Sequence, residues 1–286
     1  MTNQNAATTA LDPTRQPILS RLACPACRGA VAHTPPALAC TACGRTYRIE
    51  QGIPLFAGSG DAATWQPQEA TETSVPYQQG FMDLEGARRY RRLYEGKLSK
   101  RLTTQRELRM LARILGQLGR AAELLDLPSG NGRVSGPLAA ATDLLIEADV
   151  GFGQVVLGRQ LADWTTPTAW MTASAFQIPL RDGAVEGVVC NRLVHHLPAP
   201  EERERLIAEL LRVSRRFVVV TFFDYYSIKN LGRLARSPFG GKRHRVAVRA
   251  SDIARLAAPH GARLVASPRL YPIGSGQRYA VLVKNA

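Results

Sequence analysis

The sequence predicts an α/β fold: a largely parallel, doubly wound sheet covered by helices on both faces, preceded by a small metal-organised module. Three observations predict it. After Arg120, short apolar strand-like runs alternate with helical stretches. One of those stretches, "PEERERLIAELLRV", is amphipathic and lies between two apolar strands, as a parallel crossover requires. Upstream, two cysteine pairs, "CPAC" and "CTAC", stand twelve residues apart.

Composition bounds the class. The chain has 286 residues, 45% of them hydrophobic and 21% charged, enough for one full-sized core and a small satellite. No run approaches about 18 uninterrupted apolar residues, so no membrane span is expected. The first residues, "MTNQNAATTALDPTRQP", are polar and lack an apolar run, which points to a cytoplasmic enzyme. The formal charge of +14 favours an anionic partner without choosing among nucleic acid, lipid and acidic small molecules. Oligomeric state is open.

Residues 1–19 read as a flexible leader. Residues 20–57 form the module, with Cys24, Cys27, Cys40 and Cys43 as metal ligands. Each pair makes a tight knuckle, and the segment between them folds back to close a tetrahedral zinc site. A disulfide pair or redox site, unligated thiols, and iron in the same cage are the alternatives that spacing leaves open. Val31, Leu38, Tyr47, Ile49 and Ile53 supply a miniature core, too small to hold without its metal. Residues 58–76, small, polar and proline-containing, read as a linker.

Residues 77–119 turn helical, and in the second helix Leu108, Leu111, Ile114, Leu115 and Leu118 line one face. This region is rich in arginine, either as a solvated face or as a surface that attracts a partner. Then "AAELLDL", "TDLLIEA", "TAWMTA", "GAVEGVVC" and "RRFVVVTFF" read as five strands. Pro200 opens the crossover helix between the last two. "ASDIARLAAPHG" reads as a helix capped by Ser251, and "ARLVASPRL" and "RYAVLVKNA" pair as closing strands.

The first strand ends at Asp126 and runs into "LPSGNGR". Gly130 and Gly132 lack a Cβ and allow close approach of a ligand to the backbone, with a helix expected near Arg133. The second strand ends in "EADVG". Asp149 is the better-placed acceptor for two ribose hydroxyls, with Glu147 the alternative, directed to solvent or to the neighbouring strand. Cys190, at the end of the fourth strand, reads as an ordinary buried thiol.

Residues 77–286 resemble the class I S-adenosylmethionine-dependent methyltransferases. The resemblance rests on Asp126, "GNG" and Asp149, and on "AVEGVVCNRLVHHLPAPEERERLIAELLRVSRRFVVVTFFD". It implies a seven-stranded, mostly parallel Rossmann-like sheet with an antiparallel closing strand, and S-adenosylmethionine as cofactor. Residues 77–119 would then cap the cofactor and residues 224–249 would wall the acceptor. Asn191 and Arg192 are expected at the methionine carboxylate, Ser174 and the Ala175 amide at the adenine. Ser174 stands where the family has an acid, and Pro128 removes one amide from the glycine turn. His195 and His196 stand at the cofactor–acceptor junction. One of them is the candidate base, His196 narrowly preferred for the rigidity of the helix that follows, and the alternative is that both pack the loop.

The cysteine module resembles the small zinc-binding activator protein of several methyltransferases, and some bacterial ribosomal-RNA methyltransferases carry a similar module. The module's resemblance raises RNA as an acceptor, but the preferred reading is methyl transfer to an O or N atom of a small molecule, with specialised metabolism as a setting. RNA methylation and a non-catalytic cofactor-binding partner protein are the rival readings. A protein partner held by the module fits any of the three.

Overall fold

The computed structural model describes residues 18–57, 83–228, 230–231, 246–271 and 276–285. Most of the expected leader, the linker, Tyr77 and most of the 224–249 insertion, including Phe239 and His244, lie outside the described residues.

The module is a four-stranded antiparallel sheet of β1 (Val31–Thr34), β2 (Ala37–Cys40), β3 (Thr46–Glu50) and β4 (Ile53–Pro54), in that spatial order. Alternation puts Leu38 and Cys40 inward while Ala37 and Ala39 stay half-exposed. Val31, Tyr47 and Ile53 are buried beside them.

The main sheet contains β5 (Ala121–Asp126), β6 (Thr142–Asp149), β7 (Thr168–Thr172), β8 (Val185–Cys190), β9 (Ser214–Phe223), β10 (Ala262–Ala266) and β11 (Gln277–Lys284). Its order is β10-β11-β9-β8-β5-β6-β7. Strands β5 to β9 pair in parallel, and β11 runs antiparallel to both β9 and β10. The strand expected to close the sheet therefore inserts second from its edge, leaving β10 outermost.

Six helices are described: α1 (Leu84–Glu95), α2 (Leu98–Leu118), α3 (Ser135–Ala140), α4 (Phe152–Leu161), α5 (Pro200–Val213) and α6 (Ala250–Ala257). Adjacent strand residues divide between two cores, as a pleated strand dictates. Leu124, Leu145 and Val189 pack with Leu111 and Ile114 of α2 and Leu138 of α3. Leu125, Ile146 and Val188 pack on the opposite face with Leu206, Ile207 and Leu210 of α5. Pro200 takes the first position of α5, where its missing N–H costs nothing, and Glu202 accepts the Ala199 amide at 3.2 Å. Ser251 does not cap α6, which starts at Ala250; Asp252 instead accepts the Arg249 amide at 3.2 Å.

The module is not a satellite. Its Leu22, Val31, Leu38 and Tyr47 belong to the same core as Met171, Leu180 and Val188 of the large sheet. Ala23 donates to the Pro179 carbonyl at 3.1 Å, and Leu55 bridges Thr172 in parallel, so the end of the module extends the sheet beyond β7. Phe56 donates to the Thr172 carbonyl, and the Thr172 hydroxyl donates to the Ala57 carbonyl. Arg28 pairs with Glu209 of α5 at 2.7 Å, and Arg21 with Glu123 of β5. An exposed sheet edge is covered, and a core too small to stand alone is completed.

Candidate active site and metal centre

At the carboxyl end of β5 the chain turns sharply into α3. Gly130 and Gly132 sit at φ +57° and +74°, the left-handed region that a residue with a Cβ adopts only under strain. The helix begins at Ser135, two residues later than Arg133. Asp149, at the end of β6, grips this turn. Its Oδ2 accepts the Gly130 amide and its Oδ1 the Gly151 amide, both at 2.9 Å, leaving each oxygen a further lone pair.

Glu147 does not face solvent. It is fully buried, in register with Asp126 on β5 and Trp170 on β7. Asp126 is also fully buried, 3.5 Å from the Ser135 hydroxyl. Burial, then the neighbouring Glu147 and Asp149 carboxylates, push the Asp126 carboxyl well above its ordinary value. Burial lifts Glu147 to about 7; the Ser135 and Ser129 hydroxyls lie near enough to oppose this but make no hydrogen bond to its oxygens. Burial also raises Asp149, despite the two amides it accepts.

Around this turn lies a concentration of buried polar atoms without hydrogen-bond partners: Asp126 Oδ1, Ser129 Oγ, Asn131 Nδ2, both Glu147 oxygens, Gln154 Oε1 and Trp170 Nε1. Such atoms are rare in folded proteins unless a ligand or water completes them. A ligand that is cationic at one end and bears hydroxyls at the other matches this set. The residues therefore fit S-adenosylmethionine, whose ammonium and sulfonium suit the acids and whose ribose suits Asp149.

Proton linkage at Glu147 gives a measurable consequence. The folded chain holds this proton to higher pH than the unfolded chain, so stability falls as pH rises from about 4.3 to about 7. Glu147→Gln is expected to match the parent chain near pH 4 and to exceed its stability above pH 7 by on the order of 2–4 kcal/mol. Urea unfolding of the ligand-free protein at the two pH values checks this; parallel pH slopes for both proteins would contradict it.

The residues expected at the adenine adjoin Asp149. Ala173 donates to the Asp149 carbonyl at 3.0 Å, which brings Ser174 and Ala175 beside the end of β6. Ser174 Oγ accepts the Phe176 amide at 3.3 Å, and Ala175 is buried. The start of α1 meets the same place. A Cβ at Gly153, in the first turn of α4, would lie 2.1 Å from the Asp83 backbone, so only glycine lets α1 dock there.

The loop after β8 is held by β9. Thr221 Oγ1 donates to Asn191 Oδ1 at 3.0 Å and accepts the Arg192 amide at 2.6 Å. Asn191 is thus buried as a support of the loop. Arg192, at φ +64°, sends its guanidinium to Glu107 of α2 at 2.7 and 2.9 Å. Arg133 also pairs with Glu107, and Gln277 Nε2 donates to it at 2.7 Å. Burial opposes the charge on Glu107, but the Arg133 and Arg192 guanidiniums hold its carboxyl below the ordinary range. Glu107 was missed in the sequence, although it carried a signal: an acid four residues before Leu111, on the apolar stripe of the helix.

The 3₁₀ turn Val194–His196 carries both histidines. His195 is half-buried, its ring 4.6 Å from that of Phe223 at the end of β9 and 4.2 Å from that of His196. His196 is exposed, and α5 begins only at Pro200. The rigidity sought from the following helix comes instead from Phe223, and it acts on His195. Cys190 is fully buried, and burial together with the Asp126 carboxylate raises its thiol far out of the reactive range.

At the other end of the chain, Cys24, Cys27, Cys40 and Cys43 place their sulfurs within 4.8 Å of one another, and none forms a disulfide. Cys24 and Cys43 are 3.7 Å apart, Cys27 and Cys40 3.4 Å. Sulfurs about 2.3 Å from a central ion in a tetrahedron are separated by about 3.8 Å, so the four can hold one metal ion. The Tyr47 hydroxyl lies 2.9 Å from Cys24 Sγ, a supporting hydrogen bond of the kind that orients metal ligands. Gly29 is sterically required, since a Cβ there would lie 2.6 Å from Ala42 Cβ and 3.1 Å from Cys40 Sγ.

Residues 125–219 match the family model described as a methyltransferase domain. The match spans the glycine turn, Asp149, both histidines and the crossover helix. Magnesium protoporphyrin IX methyltransferase from Synechocystis PCC 6803, solved with bound SAH, is similar in structure over 74% of this chain and 100% of its own, at 18% identity and a TM-score of 0.61. The fold is that of a SAM-dependent methyltransferase. The SAM-bound form of the same enzyme aligns over 76% of this chain and 99% of its own at 20% identity, with a TM-score of 0.57. A SAM-dependent methyltransferase from Thermotoga maritima, described as a possible histamine N-methyltransferase, covers 73% of this chain and 99% of its own at 12% identity and a TM-score of 0.50. No curated protein sequence matches the chain. In this methyltransferase fold the ligand site lies at the carboxyl ends of the strands, where the unpartnered polar atoms collect.

Proposed function

We propose that the protein transfers a methyl group from S-adenosylmethionine to an O or N atom of a small-molecule acceptor. The observation that carries this reading is the set of buried, unpartnered polar atoms around the glycine turn, within a methyltransferase fold. When bound, the cofactor supplies an electrophilic methyl group, so the protein's work is orientation and, for some acceptors, proton removal. Asp149 offers its remaining lone pairs to the ribose, while Asp126 and Glu147 offer acceptors to the cationic methionine portion. Ser174 and Ala175 border the adenine, and Pro128 narrows the turn's amide set by one donor. Asn191 shapes the loop from beneath. Arg192, engaged with Glu107, contributes to a positive rim beside the methionine end.

A half-buried imidazole at the junction suits proton removal from a hydroxyl or a protonated amine, and His195 is the better-held of the pair. A small acceptor is favoured because the basic surface of the cap displays no exposed aromatic platform among the described residues. One structural neighbour, named for magnesium protoporphyrin IX, acts on a small molecule. The four-cysteine cluster is read as a zinc site that completes the edge of the sheet.

Asp149→Ala removes both the ribose acceptors and the clamp on Gly130. Its affinity for the cofactor is expected to fall by about 1.5–3 kcal/mol, roughly 10- to 150-fold, with the sheet still folded. Calorimetry with S-adenosylmethionine measures it, and an unchanged affinity in the folded variant would move the ribose elsewhere. Transfer of labelled methyl groups to separated metabolite, RNA and protein pools identifies the acceptor class; label confined to RNA would replace the small-molecule reading.

A further inference from the structure

The described residues expose seven large hydrophobic side chains, and five of them fall on two segments. Leu98 and Leu102, 70% and 53% exposed, lie one turn apart on α2, on the side turned away from Leu111 and Ile114. Tyr226, Ile228 and Leu231 follow β9, at 57%, 66% and 47%. Both segments border the rim at the carboxyl end of the sheet. Arg106 of α2 donates to the Leu270 carbonyl at 2.7 Å and Thr103 lies 3.4 Å from the Tyr271 hydroxyl, while Ser227 adjoins Gly276 at the entrance to β11.

Leu98 and Leu102 are set in positive charge, and Arg249 lies over the Tyr226 ring at 5.7 Å. Arg88, Arg89 and Arg92 of α1, Lys97 before α2, and Arg101 and Arg109 on α2 are all exposed. Exposed aliphatic side chains are costly in water and are not explained by attraction to a soluble anion alone. Their combination with a dense basic surround is the composition of a helix that lies in the interface of a lipid bilayer. No described helix is long and apolar enough to cross a membrane, so the contact is peripheral.

We propose that the α1–α2 cap, with the segment after β9, docks on an anionic lipid surface. Leucine and isoleucine enter the headgroup boundary while the arginines pair with lipid phosphates and carboxylates. Charge complementarity favours this occupant over a second copy of the chain, whose cap would present the same positive sign. Four of the five tips, Leu98, Leu102, Ile228 and Leu231, are aliphatic and would go unused by RNA, which is gripped through aromatic stacking and here would find only Tyr226 among them. Docking would bring the rim of the active site to the bilayer, where an amphiphilic acceptor is concentrated.

Flotation of the full chain with lipid vesicles tests the proposal. The chain is expected to float with phosphatidylcholine vesicles containing about 30% phosphatidylserine and to remain behind with pure phosphatidylcholine, with binding that weakens as salt screens the charges. Replacing Leu98 and Leu102 with Ser should lower the vesicle partition coefficient by roughly tenfold or more without lowering the melting temperature, since both side chains are already in water. Arg88→Glu with Arg92→Glu should lower it independently. Absence of binding to anionic vesicles, equal binding to neutral ones, or a leucine variant that partitions like the parent overturns the proposal. Binding to single-stranded RNA that the leucine changes do not touch, without vesicle binding, assigns the surface to RNA instead.

Discussion

The protein is expected to carry close to one equivalent of zinc, and Cys40→Ser or a chelator to remove it and lower the stability of the whole chain. Structural zinc sites in isolated peptides bind with apparent free energies of about 10–16 kcal/mol, and in a module this small that energy is folding energy. The damage should not stop at residue 57. Leu22, Leu38 and Tyr47 share a core with Leu180 and Val188, and the Thr172 edge of β7 is hydrogen-bonded to Phe56 and Ala57. Hydrogen exchange should therefore accelerate at Thr168–Thr172 as well as within the module, and thermal unfolding should move as one transition. Elemental analysis and exchange by mass spectrometry check the two halves. A variant that loses its metal while β7 keeps its protection would show that the sheet edge does not depend on the module.

For a hydroxyl acceptor, His195→Ala should retain cofactor affinity and lose methyl-transfer rate by about 10²–10⁴-fold, the usual worth of a positioned general base. The rate of the parent enzyme should rise as the imidazole loses its proton, and this rise should vanish in the variant. His196→Ala, at an exposed position, should lose much less. Single-turnover rates at saturating cofactor between about pH 6 and about pH 9 separate base catalysis from packing against Phe223, because a packing defect lowers stability and affinity together. Wild-type rates in the folded His195→Ala variant across that range would leave positioning as the catalytic contribution.

Much of the architecture follows from short-range pattern. The strands and helices after Arg120 were legible because each buries an apolar stripe whose period belongs to its own conformation, as Leu206, Ile207, Leu210 and Leu211 show in α5. The cysteine cluster was legible because two close pairs bring four sulfurs together almost independently of their surroundings. The glycine turn was legible because a left-handed backbone selects glycine at Gly130 and Gly132. Ser251 misled because the helix starts one residue before it, at Ala250, and Asp252 reaches back from the first turn to the Arg249 amide.

The environment of each polar side chain was not legible, because it is set by residues far away in sequence. Glu147 ends between Asp126 and Trp170, and only the pairing of β5, β6 and β7 could say that it is buried rather than solvated. Arg192 meets Glu107 across 85 positions and Gln277 meets it across 170, which no spacing rule anticipates. His195 gains its support from Phe223 on the neighbouring strand, and the module gains its missing core from β7 and α5. The sequence alone determined which segments form strands, helices, a metal knuckle and a glycine turn, since these depend on local backbone preference and periodic burial. Tertiary structure alone decided which acids are buried without partners, which arginines are already engaged and where the module docks, since burial and charge pairing depend on what the folded chain brings alongside.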